Sequence, residues 1–105
     1  MNRVVLLSPL LLSLGGCLGD HAIACDFRAS QNRCQERSGI QAANPPAYEA
    51  TCEASRGIYI DDACPREDIV AGCDIGSDVI DWYYAPATVA NATSECEGEG
   101  TLVFP

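Results

Sequence analysis

Lysine is absent from this chain of 105 residues, and histidine occurs once, at position 21. Both gaps exclude chemistry. From Cys17 onward five arginines face fifteen acids, a balance of −10. Nucleic acid is held through Lys and Arg at its phosphates, so nucleic-acid partners are excluded. An anionic membrane surface is repelled for the same reason, while basic peptides and cations are tolerated. The single His21 precedes the cysteine-rich part, which leaves no base for a Ser or Cys nucleophile there. The G-x-S-x-G elbow is missing as well. Paired carboxylates can hydrolyse glycosides, but among fifteen acids some pair is inevitable and carries no signal. The chain reads as non-enzymatic.

Two further absences concern metal and membrane. No C-x-x-C occurs: the gaps between successive cysteines from Cys25 on are 8, 17, 11, 8 and 22 residues. Zinc sites bring ligands close in sequence, so neither a metal nor any other cofactor is expected. Nor is any apolar run long enough to span a bilayer, which takes about 20 residues. The longest, Val4 to Leu14, is broken by Ser8, Pro9 and Ser13 and follows the lone charge of Arg3. A basic start and a short apolar run make a secretory signal.

That run ends in Leu14-Gly15-Gly16-Cys17. The tetrad resembles the lipobox of bacterial lipoproteins, in which small residues precede an obligatory cysteine. The resemblance implies lipidation of Cys17, cleavage just before it, and attachment to the membrane through the N-terminal lipid. Leu18 then stands at position two, where Asp would resemble an inner-membrane retention signal, so the outer membrane or cell surface is expected. The organisation read from this is a signal peptide over 1–16, a tether over 17–24 and a domain over 25–105. Ala22-Ile23-Ala24 offers a competing A-x-A site. Cutting there would release a soluble cysteine-rich effector or inhibitor starting at Cys25.

Seven cysteines are present. With Cys17 set apart, six remain: Cys25, Cys34, Cys52, Cys64, Cys73 and Cys96. A domain this small has a modest core and usually needs staples. Three disulfides, at about 2–4 kcal/mol each, would supply them in an oxidising compartment. Six cysteines allow fifteen pairings. The twin gaps of eight favour Cys25–Cys34 and Cys64–Cys73.

The local pattern is mixed α and β. Arg33 to Ser38 alternates weakly and predicts an edge strand ending at Gly39. Asn44 as N-cap with Pro45 at the first helical position starts a helix, and Tyr48, Thr51, Cys52 and Ser55 share its stripe. Gly57 is placed as its left-handed end. Strands follow at 58–60, 67–73 and 79–84, with turns at 61–65 and 74–78. Residues 79–84, Val-Ile-Asp-Trp-Tyr-Tyr, are the richest in β-formers. A poorer helix over 87–100 leads to a last strand at 101–104. The segments Cys52–Ile60 and Cys96–Phe104 echo each other: helix, Cys-Glu, Gly, strand. The fold expected is α+β, a small disulfide-rich domain with a short antiparallel sheet and two helices on one face.

The order Cys25-Asp26, Cys34 with Glu36, Cys52, Gly57 with Tyr59, Cys64-Pro65, Val70 with Gly72-Cys73, Tyr83-Tyr84 and Cys96 resembles a group of small cysteine-rich lipoproteins of high-GC Gram-negative bacteria. The resemblance implies a fold and no activity. The chain departs from the group at Glu97-Gly98-Glu99-Gly100, where a double glycine is more usual.

Two surface features suggest binding. In the 79–84 strand Trp82 and Tyr84 share a face and Tyr83 takes the other; exposed, such aromatics form a platform for a sugar or peptide. The competing expectation has Trp82 and Tyr84 packed under the helices. Asp74, Asp78 and Asp81 flank a Gly-containing turn as a conceivable calcium site, without the EF-hand spacing. The function expected is a lipid-anchored, non-enzymatic binding or structural module that contacts a protein or polymer at the cell surface.

Overall fold

The structure, a computed structural model, describes residues 21–105. Cys17 and the rest of residues 1–20, on which the expected signal peptide and most of the expected tether fall, lie outside them. Six strands, β1 (Ala22–Asp26), β2 (Arg33–Ser38), β3 (Ile58–Ile60), β4 (Ile69–Gly76), β5 (Val79–Tyr84) and β6 (Thr101–Val103), form one antiparallel sheet. Their order across it is β3-β1-β2-β5-β4-β6. The helices are α1 (Arg28–Gln31), α2 (Pro45–Ala54) and α3 (Val89–Cys96), with a 3-10 turn at Gly39–Ala42. The α+β fold class read from the sequence is the one observed.

The order has an internal symmetry. β1, β2, α2 and β3 form a ββαβ unit, and β4, β5, α3 and β6 form another. In each, the strand after the helix returns to pair with the first strand of the hairpin. The units meet where β2 pairs with β5. There Gln35 faces Asp81, with Arg33–Tyr83 and Arg37–Val79 at matched distances on either side. An approximate two-fold axis therefore passes between Gln35 and Asp81. The echo of Cys52–Ile60 with Cys96–Phe104 is the second half of this larger repeat.

Strand alternation fixes the disulfides. Cys25 stands opposite Gln35, whereas Cys34 stands opposite Asp26. Side chains alternate between faces, so Cys25 and Cys34 point to opposite sides of the sheet and cannot pair. The bonds are Cys25–Cys52, Cys34–Cys64 and Cys73–Cys96, which replaces the local pairing favoured by the twin gaps. The first and last are equivalent in the repeat: each ties the first strand of a unit to its helix. They place α2 and α3 on the same face. Cys34–Cys64 has no equivalent, and ties β2 to the connector between the units on the opposite face.

Two cores result. On the helix face Ile23, Cys25, Ala42, Tyr48 and Cys52 pack together; on the other, Ala24, Cys34, Cys64, Trp82 and Tyr84. The second unit is trimmed on the helix face, with Ala71 and Ala92 where the first has Ile23 and Tyr48; all four are buried.

Local chemistry sets the ends of the elements. The Asn44 side chain accepts from the Ala47 amide at 3.4 Å, as an N-cap does. Thr88 and Asn91 form a capping box on α3. α2 ends in a Schellman motif, with Gly57 N–H donating to Cys52 O and Arg56 N–H to Glu53 O. The left-handed residue is Arg56, at φ 67°, rather than Gly57. Gly57 is needed for another reason: a Cβ there would collide with Cys25 Sγ, so no side chain fits beside the disulfide.

Several boundaries differ from the sequence reading. α3 is Val89–Cys96 rather than 87–100, because the chain turns at 97–99. β4 starts at Ile69 rather than at 67, and α1 is a helical turn the pattern did not predict. Ala22–Ala24, assigned to the tether, are strand residues of β1, with Ile23 and Ala24 at 0% exposure. β2 is an interior strand rather than an edge. β4 runs on to Gly76, and the turn is Ser77-Asp78 alone, with φ 54° and 63°, as in a two-residue type I′ hairpin.

Candidate functional site

Helices α2 and α3 sit over the outer strands of their own units, α2 against β1 and β3, α3 against β4 and β6. The central pair, β2 and β5, is left uncovered between them. Apart from the buried Val79, its helix-facing residues are polar: Arg33, Gln35 and Arg37 alternate along β2, with Asp81 and Tyr83 on β5. The result is an open trough astride the pseudo-two-fold axis. Its larger part is a cleft of 870 Å³ on the α3 side, reached by Tyr83, Asp81, Asn91, Glu95 and Glu99. A smaller hollow of 240 Å³ on the α2 side is lined by Arg37, Tyr48, Thr51 and Ser55. Both share Gln31, Arg33 and Gln35 as floor.

The floor is braced by hydrogen bonds. Tyr48 Oη donates to Gln35 Oε1 at 2.9 Å, and Arg37 Nε donates to the same oxygen at 3.3 Å. Gln35 Nε2 donates to Asp81 Oδ1 at 3.3 Å. Arg33 stands 3.5 Å from that carboxylate and donates through Nε to Gln31 Oε1 at 2.8 Å. The two guanidiniums lie over rings, Arg37 at 4.2 Å from the Tyr48 centroid and Arg33 at 4.6 Å from that of Phe27. Burial raises the Asp81 carboxyl above its ordinary value against the pull of Arg33 and the Gln35 hydrogen bond, and Glu99 adds to the rise. The Tyr83 phenol is raised by burial and then by Asp81, Glu95 and Glu99. The three carboxylates thus act on one space.

Charge is divided between the units. Residues 67–105 hold eight acids and no basic residue, while residues 22–66 hold six acids and five arginines. The trough runs from the nearly balanced unit into the acidic one. Counting charge by halves of the sequence would have found this polarity; counting it over the whole chain hid it.

Of the three aromatics singled out in the sequence, only Tyr83 reaches the trough. Trp82 and Tyr84 are 6% and 3% exposed on the other face, under the 61–68 segment, so they form no binding platform. The packing is also the reverse of that expected, since the helices lie on the Tyr83 side. Tyr84 Oη donates to Pro65 O at 2.6 Å, and Arg66 lies 5.2 Å over the Trp82 ring while pairing with Glu36 at 3.1 Å. Trp82 Nε1 is buried without a partner.

Burial pushes the Tyr84 phenol up to about 12, despite Arg28 nearby. The folded state thus holds this proton longer than the unfolded chain does. Its contribution to stability is whole below the ordinary tyrosine value of about 10 and is lost as pH rises towards 12. Tyrosinate absorbance at 295 nm should show one phenol ionising together with alkaline unfolding, and Tyr84→Phe should remove that step. A Tyr84→Phe protein with the same alkaline transition would contradict the assignment.

The remaining candidates separate in space. Asp74 is in register with Ile80 and Asp81 with Cys73, so Asp74 and Asp81 project to opposite faces. Asp78 sits in the hairpin turn. Asp74 caps the Gly76 amide at 2.9 Å instead. Among the described residues no group of three His, Cys, Asp or Glu is placed to hold a metal ion. His21 lies exposed beside Asp61, at 3.5 Å, on the β3 edge.

What fold and site define is a class: a small disulfide-braced α+β domain of two ββαβ units with a polar, charge-divided trough between its helices. No family model, curated protein or solved structure matches the chain.

Proposed function

We propose that this protein is a lipid-anchored, non-enzymatic binding module of the bacterial envelope, attached through Cys17 and presenting the trough to a partner. The three disulfides suit an exported protein, since such bonds persist in oxidising compartments. No helix among the described residues is long and apolar enough to cross a membrane.

The observation that carries the anchored reading is the start of the fold. β1 begins at Ala22, and Ile23 and Ala24 are wholly buried. Cleavage before Cys17 leaves every described residue in place. Cleavage after Ala24, which the secreted alternative requires, would remove most of an interior strand. The sequence tetrad before Cys17 and the position of β1 therefore favour the same reading.

Phase separation in Triton X-114 tests it. The exported protein should enter the detergent phase with an acylated Cys17, and Cys17→Ser should move it to the aqueous phase. Recovery of the unaltered protein from the aqueous phase, without lipid, would sink the proposal.

A further inference from the structure

We infer that the α3 side of the trough is a docking site for a basic segment of a partner polypeptide, a lysine or arginine side chain entering the cleft against Tyr83 and the carboxylates of Asp81, Glu95 and Glu99. The inference rests on the binding-module reading and names its partner class. Four observations support it. The cleft, at 870 Å³, has room for a long side chain together with adjoining backbone. Glu95 and Glu99 are exposed and make no ion pair among the described residues. Nothing within their own unit can neutralise them, because residues 67–105 contain no basic residue. The one guanidinium on the shared floor, Arg33, is already held by Asp81, Gln31 and the Phe27 ring.

The rest of the lining suits a polypeptide better than a bare ion. The carboxylates are not grouped as metal ligands. The side-chain N–H groups of Gln31 and Asn91, whose oxygens are held by Arg33 and Thr88, remain along the trough to pair with peptide carbonyls. Tyr83, partly exposed, gives the stem of a long cationic side chain a ring to lie on, and a cation is attracted to such a face. Complementary charge of this kind sets both partner choice and the rate of encounter.

The test uses the lipidated protein in detergent micelles and fluorescence anisotropy with three labelled octapeptides: alternating Lys-Ser, alternating Glu-Ser and alternating Gly-Ser. Only the basic peptide should bind. Glu95→Gln with Glu99→Gln should weaken it about tenfold, while Glu49→Gln with Glu53→Gln, the same charge removed from exposed sites on α2, should change it by less than about twofold. Tyr83→Ala should also weaken binding, measured well below the melting temperature of the variant because Tyr83 is half-buried in β5. An equal loss from both double variants would mean diffuse attraction and overturn the site. So would binding of all three peptides alike, or of none. A calcium-induced rise in melting temperature that is lost in the Glu95/Glu99 variant, with no peptide bound, would replace it by a cation site. Because the sample is the detergent-phase protein, failure here leaves the lipid anchor untouched. The Cys17→Ser protein should bind the basic peptide with the same affinity.

Discussion

A chain beginning at Cys25 should fail to fold, whereas one beginning at His21 should fold and melt cooperatively. β1 lies between β3 and β2, and Ala22, Ile23 and Ala24 supply three of its five residues. Their loss removes the pairs Ala22–Ser38, Ile23–Arg37 and Ala24–Glu36 on one side and Ala24–Ile60 on the other. Ile23 fills the helix-face core against Tyr48 and Cys52, and Ala24 sits in the opposite core. Burying one Ile side chain is worth about 1.5–3 kcal/mol. Each lost backbone hydrogen bond costs about 0.5–1.5 kcal/mol, more where its partner stays buried. Together these approach the whole stability of a small domain, about 5–15 kcal/mol. Circular dichroism melts of the two oxidised proteins decide it. Equal melting temperatures would show that β1 is dispensable, and would remove the main objection to a diffusible form cut after Ala24.

The second large effect is expected from Cys34→Ala with Cys64→Ala. This disulfide closes a sequence separation of 30 residues. Chain-entropy arguments give about 3–4 kcal/mol for a loop of that size. Its position adds to the cost. The other two bonds act within a unit, while this one fastens the connector that covers Trp82 and Tyr84. Glu36 depends on the same arrangement, accepting from the Cys64 amide at 3.0 Å and from Arg66. Urea unfolding should show a midpoint far below that of the parent. Near-ultraviolet dichroism should report Trp82 loosened from its fixed surroundings in the double variant. An unchanged urea midpoint would mean that packing alone holds the connector.

The legible parts of this fold were those set by local chemistry. The Asn44-Pro45 helix start, the β5 segment of branched and aromatic residues, and the bounds of β2 and β3 were all readable because caps, propensity and alternation act over a few residues. Parts set by distant pairing were not. Ala22-Ile23-Ala24 looks like a processing motif because alanine stands at its first and third positions, whereas its place in β1 is fixed by pairing with segments distant in sequence. The disulfide spacing misled because the two cysteines of each close pair fell on opposite faces of the sheet, Cys25 and Cys34 on adjacent strands, Cys64 in the connector and Cys73 in β4. The trough was hidden for a related reason. Arg33, Gln35 and Arg37 resemble an edge strand, yet β2 is central through its pairing with β1 and β5, and its polar side chains stay accessible because both helices cover the outer strands. The alternation that divides Tyr83 from Trp82 and Tyr84 was readable; which face carried the helices was not.

The palindromic strand order has a consequence for the behaviour of many copies at high local concentration. Each sheet edge is the closing strand of a unit, and each is only three residues long. β6 covers β4 from Gly72 to Asp74, and the lengths of β4 on either side of that stretch carry the register shifts, between Ile69 and Ala71 and between Asp74 and Gly76. Short and irregular edges are poor templates for strand addition. Among the described residues no long straight margin is left on which crowded copies could zip into fibrils, so the sheet can remain a discrete unit at high local density.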